Sequence, residues 1–208
     1  MPGMTAERRT RLAPEDRSAQ LVALGVASLA ERPLHSLTIE WLSAEAGVSR
    51  ALLFHYFGSK QGLHLEVVRV ARDSMLRATE PAPDLEPLER LHDTLTRIVL
   101  FVREHRGTFY SLVRGVASGD LEVREVVEQA RVEQAERVIA VFVQLGMPET
   151  TLLRVALRSW VAFAEEALAE NALQDSAVDD ELPSDQLVAF LERSAVAVAS
   201  AVDPARAH

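Results

Sequence analysis

The sequence predicts an all-α protein of about nine helices, a short three-helix head followed by a larger helical body. Three observations carry that reading. Apolar residues return at spacings of three and four along almost the whole chain, the period of an amphipathic helix. No stretch alternates apolar and polar residues for long enough to read as a strand. Alanine, leucine, valine, glutamate and arginine dominate, and only 9 of the 208 residues are glycine, which is helix vocabulary.

The elements follow in order. Residues 15–32 carry Leu21, Leu24, Gly25 and Leu29 on one helical period, and Pro33 stops it. Thr38 then supplies a hydroxyl N-cap for TIEWLSAEAG, which closes on Gly47. Ser49 caps a second short helix from Arg50, and Ser59 caps a third that runs to about Thr79. The proline-rich PAPDLEP, residues 81–87, is the clearest break in the chain. The expected head is residues 1–65 and the body residues 66–208, with the helix 59–79 connecting them. In the body, Leu88, Leu91, Leu95, Ile98, Val99 and Val102 define one stripe. A shorter helix runs from His105 to about Ala117. Val123, Val127, Ala130, Val138, Val141 and Leu145 line the next, which ends at Gly146 and Pro148. Leu153, Leu157, Trp160, Ala164 and Leu168 line another, over about 149–171. The acidic loop QDSAVDDELPSD leads to a last helix with Leu187, Leu191, Ala195, Val198 and Val202 inward.

Composition narrows the function classes. At 48% hydrophobic and 25% charged, the chain has the balance of a globular protein rather than a disordered one. No run approaches the ~20 apolar residues of a membrane-spanning helix, so no membrane partner is expected. The start, MPGMTAERRTRLAPED, has no apolar core behind its arginines and reads as no signal peptide. Absence of cysteine excludes disulfides and thiolate chemistry, and a cytoplasmic location is expected. Net charge is −9, unevenly spread: residues 1–60 hold seven basic and six acidic side chains, residues 61–208 fifteen and twenty-five. A near-neutral head on an acidic body suits a protein that meets a polyanion with one end.

That end carries GVSRALLFHYFGSK, residues 47–60, with Phe54, His55, Tyr56 and Phe57 in a row and the chain's one lysine, Lys60. Thr38 to Phe57 has the length and punctuation of a helix–turn–helix. Leu53 and Phe57, four apart, serve the small core with Val48, Leu42 and Ile39. Core packing leaves Arg50, His55, Tyr56 and Lys60 unexplained. Ala51 permits close approach to a surface, and Arg50 at the helix start can reach a guanine edge bidentately. Thr38, Ser49, Tyr56 and Lys60 are donors of the kind that hold phosphates. The segment LTIEWLSAEAGVSRALLFHYFGSKQGL resembles the DNA-binding signature of the TetR (tetracycline repressor) family of bacterial regulators. The matching positions are Thr38, Ala46, Gly47, Val48, Ser49, Tyr56, Phe57, Ser59, Lys60 and Leu63, within a resemblance covering roughly residues 15–65. It implies that Ser49, Arg50, Ala51, Leu52, Phe54, His55 and Tyr56 face the major groove of operator DNA, with Thr38 and Lys60 on phosphates. Phe54 departs from the family's usual tyrosine, and Leu52 from its common threonine or serine, so contact with a thymine methyl replaces hydrogen bonding there. The arm ERRTR, residues 7–11, is a minor-groove arm or a solvated tail.

The resemblance further implies a homodimeric, ligand-responsive regulator, most readily a repressor. The expected pocket for a small hydrophobic effector is lined by Met75, His92, Phe101, His105, Phe109, Tyr110, Phe142, Trp160 and Phe163. The same residues serve equally as solid core, which leaves a ligandless, constitutive or architectural DNA-binding protein as the alternative. An anionic effector is disfavoured, since no inward arginine stands out from the stripes. The last two helices are expected to form the dimer interface through Leu157, Val161, Leu187, Leu191, Ala195, Val198 and Val202. Glu165 and Glu166 are consecutive and diverge by ~100° on a helix, so they form no catalytic pair. No HExxH, phosphate-binding loop or dinucleotide glycine pattern occurs. No catalytic residue, metal or cofactor is expected, and the protein is read as no enzyme.

Overall fold

The computed structural model describes residues 14–115, 120–173 and 182–203. Among these residues all regular structure is helical, as expected. The helices are α1 (Pro14–Ser28), α2 (Ile39–Ala46), α3 (Arg50–Phe57), α4 (Lys60–Ala78), α5 (Pro87–Glu104), α6 (Arg106–Gly115), α7 (Leu121–Gln144), α8 (Thr151–Leu173) and α9 (Ser184–Ala201). A 3-10 turn, Leu34–Ser36, sits between α1 and α2. The arm at 7–11 and most of the acidic loop lie outside the described residues.

Local chemistry sets the boundaries. Thr38 Oγ1 accepts from the Trp41 amide at 3.0 Å, Ser49 Oγ from Leu52 at 3.2 Å and Ser59 Oγ from Gly62 at 3.0 Å. Each hydroxyl satisfies an amide that the first turn of a helix leaves without an intrahelical partner. Gly47 ends α2 at φ 62°, ψ 36°, a left-handed conformation that a side chain would strain. Asp120 caps α7 through the amides of Glu122 and Val123.

Two apolar cores result. The first joins α1 to α4 around Leu29, Leu37, Leu42, Leu53, Leu63 and Val67. It does not close within the head, because Val123, Val126 and Val127 from the start of α7 belong to it. The helix α6 also reaches it: a Cβ on Gly107 would lie 2.3 Å from the Ala30 carbonyl oxygen, so only glycine permits that approach. The second core runs through α5 to α9, with α9 seated on both α5 and α8. Among the described residues no helix is long and apolar enough to cross a membrane.

Candidate nucleic-acid interface and effector cavity

The helix–turn–helix is built by α2 and α3. Ser43 Oγ donates to the Val48 carbonyl at 2.6 Å, and the Val48 amide bonds the Ser43 carbonyl at 3.1 Å, which fixes the turn at both ends. Leu53 and Phe57 point into the head core and are buried. Ser49, Arg50, Ala51, Phe54 and His55 are exposed, while Thr38, Leu52, Tyr56 and Lys60 are half-buried. The exposed set forms one outward face of α3, with Ala51 and His55 four residues apart. Phe54 stands 48% exposed, a large apolar ring in water beside a cation at Arg50.

Two features of this face were not legible in the sequence. Arg50 is paired with Glu40 of α2 at 3.6 Å, and both side chains are mostly exposed. Lys60 Nζ donates to the His35 carbonyl at 2.7 Å, so it pins the 3-10 turn onto the start of α4. Beneath it, His64 is buried with Nε2 2.7 Å from the Leu37 carbonyl. Burial holds its imidazole below the usual 6.5 against the upward pull of that carbonyl, with smaller effects from Lys60, Asp120 and His35.

A partly open cavity of about 80 Å³ lies between α4, α5, α7 and α8. Of the residues expected to line it, Met75, Phe109 and Trp160 do. The others are corrected by the helix faces they occupy. His92 follows Leu91 by one position, turns outward and bonds Glu192 Oε2 at 2.8 Å. Phe101 and His105 meet as tilted rings with centroids 4.4 Å apart. Phe163 is 43% exposed and packs on Phe190 at 5.7 Å. Phe142 is buried and Tyr110 half-buried, neither on the lining. The Trp160 indole N–H goes to Ser194 Oγ at 2.8 Å rather than into the cavity.

The polar lining comes from Arg90, Thr94, Gln134, Arg137 and Glu165. The expectation of no inward arginine therefore fails. Arg137 donates to Glu133 at 2.7 Å and to the Thr79 carbonyl at 3.2 Å, tying α7 to the end of α4. Glu165 accepts from Arg131 at 2.7 Å, and its burial raises the carboxyl's pKa more than Arg131 lowers it. A signal for Thr94 was present: it interrupts the stripe between Leu91 and Leu95 on a strongly amphipathic helix.

The expected dimer residues need the same correction. Leu157, Val161, Leu187, Leu191 and Ala195 are buried within the single chain, and Val198 and Val202 pack against the same core. Their stripe faces α5 and the cavity, and only Val198 and Val202 of it remain half-buried. The outer faces of α8 and α9 expose Leu152, Val155, Phe163, Phe190 and Val196 instead.

A capped helix–turn–helix presenting a row of side chains, followed by an all-helical body, defines a DNA-binding regulator of transcription. Residues 21–67 match the bacterial regulatory proteins of the tetR family, and residues 87–198 match the tetracyclin repressor-like C-terminal domain. The chain belongs to the TetR family of transcriptional regulators, whose members are DNA-binding proteins and not enzymes. A stretch of 56 residues is 43% identical to the HTH-type transcriptional regulator BetI of Vibrio campbellii, 27% of this chain and 28% of that one. The nucleoid occlusion factor SlmA of Haemophilus influenzae is 29% identical over 131 residues, 62% of this chain and 57% of that one. The matches thus span under a third of BetI and somewhat over half of SlmA. A tetR-family regulator from Streptomyces coelicolor has the same fold at TM-score 0.78 and 24% identity, covering 93% of this chain and 84% of that one. A transcriptional regulator from Pseudomonas aeruginosa PAO1 superposes at TM-score 0.74 with 21% identity, covering 93% and 95%.

Proposed function

We propose that this protein is a cytoplasmic repressor that binds a palindromic operator as a homodimer and is released by a small, mostly apolar effector. The head, residues 1–65, reads DNA; the body, residues 66–208, binds the effector and dimerises. The observation that carries the DNA reading is the outward face of α3, where Arg50, Ala51, Phe54 and His55 stand in solvent while Leu53 and Phe57 anchor the helix from behind. Arg50 is assigned a base edge, Ser49, Thr38, Tyr56 and Lys60 the phosphates, and Leu52 and Phe54 apolar contact. In the DNA-bound state the two copies of α3 sit about 34–36 Å apart, one turn of the duplex. An effector that prefers a different separation lowers operator affinity by no more than its own differential affinity for the two states.

The cavity supports the effector reading, and its walls connect to the head. Met75 lies near the end of α4, whose start packs into the head core, and Phe109 lies on α6 beside the Gly107–Ala30 contact. The test selects an operator from random duplexes with the full chain, then titrates the complex with uncharged and charged hydrophobes. Release by some of them, abolished in Trp160→Ala, is the expected result. A complex that no compound dissociates, with no thermal stabilisation of the free protein, would favour the constitutive alternative.

A further inference from the structure

One face of α5 carries two buried donors that find no acceptor among the described residues. Thr94 is 7% exposed and lines the cavity, and its Oγ1 has no hydrogen-bond partner. A helical threonine has an obvious local acceptor, the carbonyl one turn back. Thr96 takes it, donating to the His92 carbonyl at 2.9 Å, and Thr79 does the same to Met75 at 2.8 Å. Thr94 does not. One turn before it, Arg90 lines the same cavity with its Nε buried and also unpartnered. Its other nitrogens donate to neutral oxygens, Gln144 Oε1 at 3.0 Å and the Leu85 carbonyl at 2.7 Å. Among the described residues no carboxylate pairs with Arg90, whereas Arg137 has Glu133 and Glu165 has Arg131. An orphaned buried donor is destabilising, more so when charged, so two side by side mark where an acceptor belongs.

We infer that the effector is an amphipathic carboxylate, a straight-chain aliphatic acid whose head bridges Arg90 Nε and Thr94 Oγ1 and whose tail lies along α5 and α8. The inference rests on the cavity being the effector site. Positions 90 and 94 are about 6 Å apart along the helix and on one face, which suits the two oxygens of one carboxylate. Beyond them Leu91, Leu95 and Ile98 of α5 face Trp160, Val161 and Leu168 across the cavity. That apolar run extends about 12 Å from Arg90 to Ile98, the reach of a medium-length chain. The cavity is partly open, so a chain can extend beyond its enclosed volume of about 80 Å³.

The test is calorimetric titration of the full-length protein with decanoate, decanol and methyl decanoate. Decanoate should bind about 10–100-fold more tightly than decanol, the factor expected for hydrogen bonds to a charged group. Arg90→Gln should erase that difference by weakening the acid alone, and Thr94→Val should reduce it by about fivefold. Should Arg90→Gln fail to fold, because Arg90 also holds Leu85, the Thr94→Val comparison decides. Equal binding of acid and alcohol in the wild type, unchanged in the variants, would overturn the carboxylate head and leave an apolar effector site standing. Binding of none of the three overturns this inference as well, and the titration with uncharged and charged hydrophobes, with Trp160→Ala, then judges the cavity itself.

Discussion

Lys60 Nζ donates a 2.7 Å hydrogen bond to the carbonyl oxygen of His35, twenty-five residues away in the chain. The single lysine of the protein thus holds two pieces of the head together at the point where it is proposed to meet a phosphate. Lys60→Ala is expected to act on both. Operator and random duplexes should lose affinity alike, and the slope of log affinity against log salt should flatten by about one per contact. The free protein should also lose about 1 kcal/mol of stability. Denaturant titration with salt-dependent binding measures both effects. A purely sequence-specific loss of affinity would contradict the assignment.

Arg50 is expected to behave differently. Arg50→Ala should cost about 1–3 kcal/mol on the selected operator and relax preference at one base pair per half-site, with little change on random DNA. Its partner gives a second handle. Glu40 pairs with Arg50 at 3.6 Å on an exposed surface and adds negative charge to the face that would approach DNA. Glu40→Gln should therefore raise affinity for all duplexes, most at low salt. Competition binding at two ionic strengths separates the two variants, and an unchanged affinity in Glu40→Gln would show that the pair does not restrain Arg50.

The dimer is proposed to form through the outer faces of α8 and α9, where Phe163 and Phe190 meet at 5.7 Å. Solvent-exposed rings at this spacing, with Leu152, Val155 and Val196 also exposed on the same two helices, are apolar surface of the kind that marks an association face. Phe163→Asp with Phe190→Arg should yield folded monomers that bind a half-site poorly. Leu191→Arg, which buries an unpaired charge inside one chain, should unfold the body instead. Sedimentation velocity with circular dichroism distinguishes these outcomes. A wild-type monomer at micromolar concentration would refute the interface.

The contrast between Leu191 and Phe163 shows what the sequence encodes and what it withholds. Caps are local: Thr38, Ser49, Ser59 and Gly47 each act within four residues, so the head's elements could be read directly. The inward stripes were equally legible as stripes. What faces them was not, since Leu187 and Leu191 pattern identically whether they pack on α5 of their own chain or on a partner. Cavity residues fail for a related reason. His92 and Phe163 are the residue types that line pockets, but a rotation of one position puts His92 on Glu192 and Phe163 in solvent. Glu40 with Arg50 and Lys60 with His35 depend on how separate elements cross, which no spacing reports.

His64 makes the head sensitive to acid. Burial lowers its folded-state pKa below 6.5. Above 6.5 the ring is neutral in folded and unfolded chains alike, and its contribution is fully present. As pH falls below 6.5, the unfolded chain takes up a proton that the folded chain resists, so stability declines until the folded-state value is passed. His64→Gln should flatten that decline. Urea denaturation of both proteins between about pH 7.5 and 5.5 provides the comparison, and parallel curves would remove His64 from the account.

Val123, Val126 and Val127 enter the core of the head from the first turns of α7, far along the chain. The core of the head is therefore plugged by a piece of the body, as a socket is by its pin. A chimera joining this head to another body would be cut most simply in the proline-rich segment after α4. Such a graft made here would remove three valines from a finished core and uncover the apolar surface beneath them. The transferable unit is a discontinuous one: the first four helices together with whatever foreign helix can present small branched side chains at the same three positions.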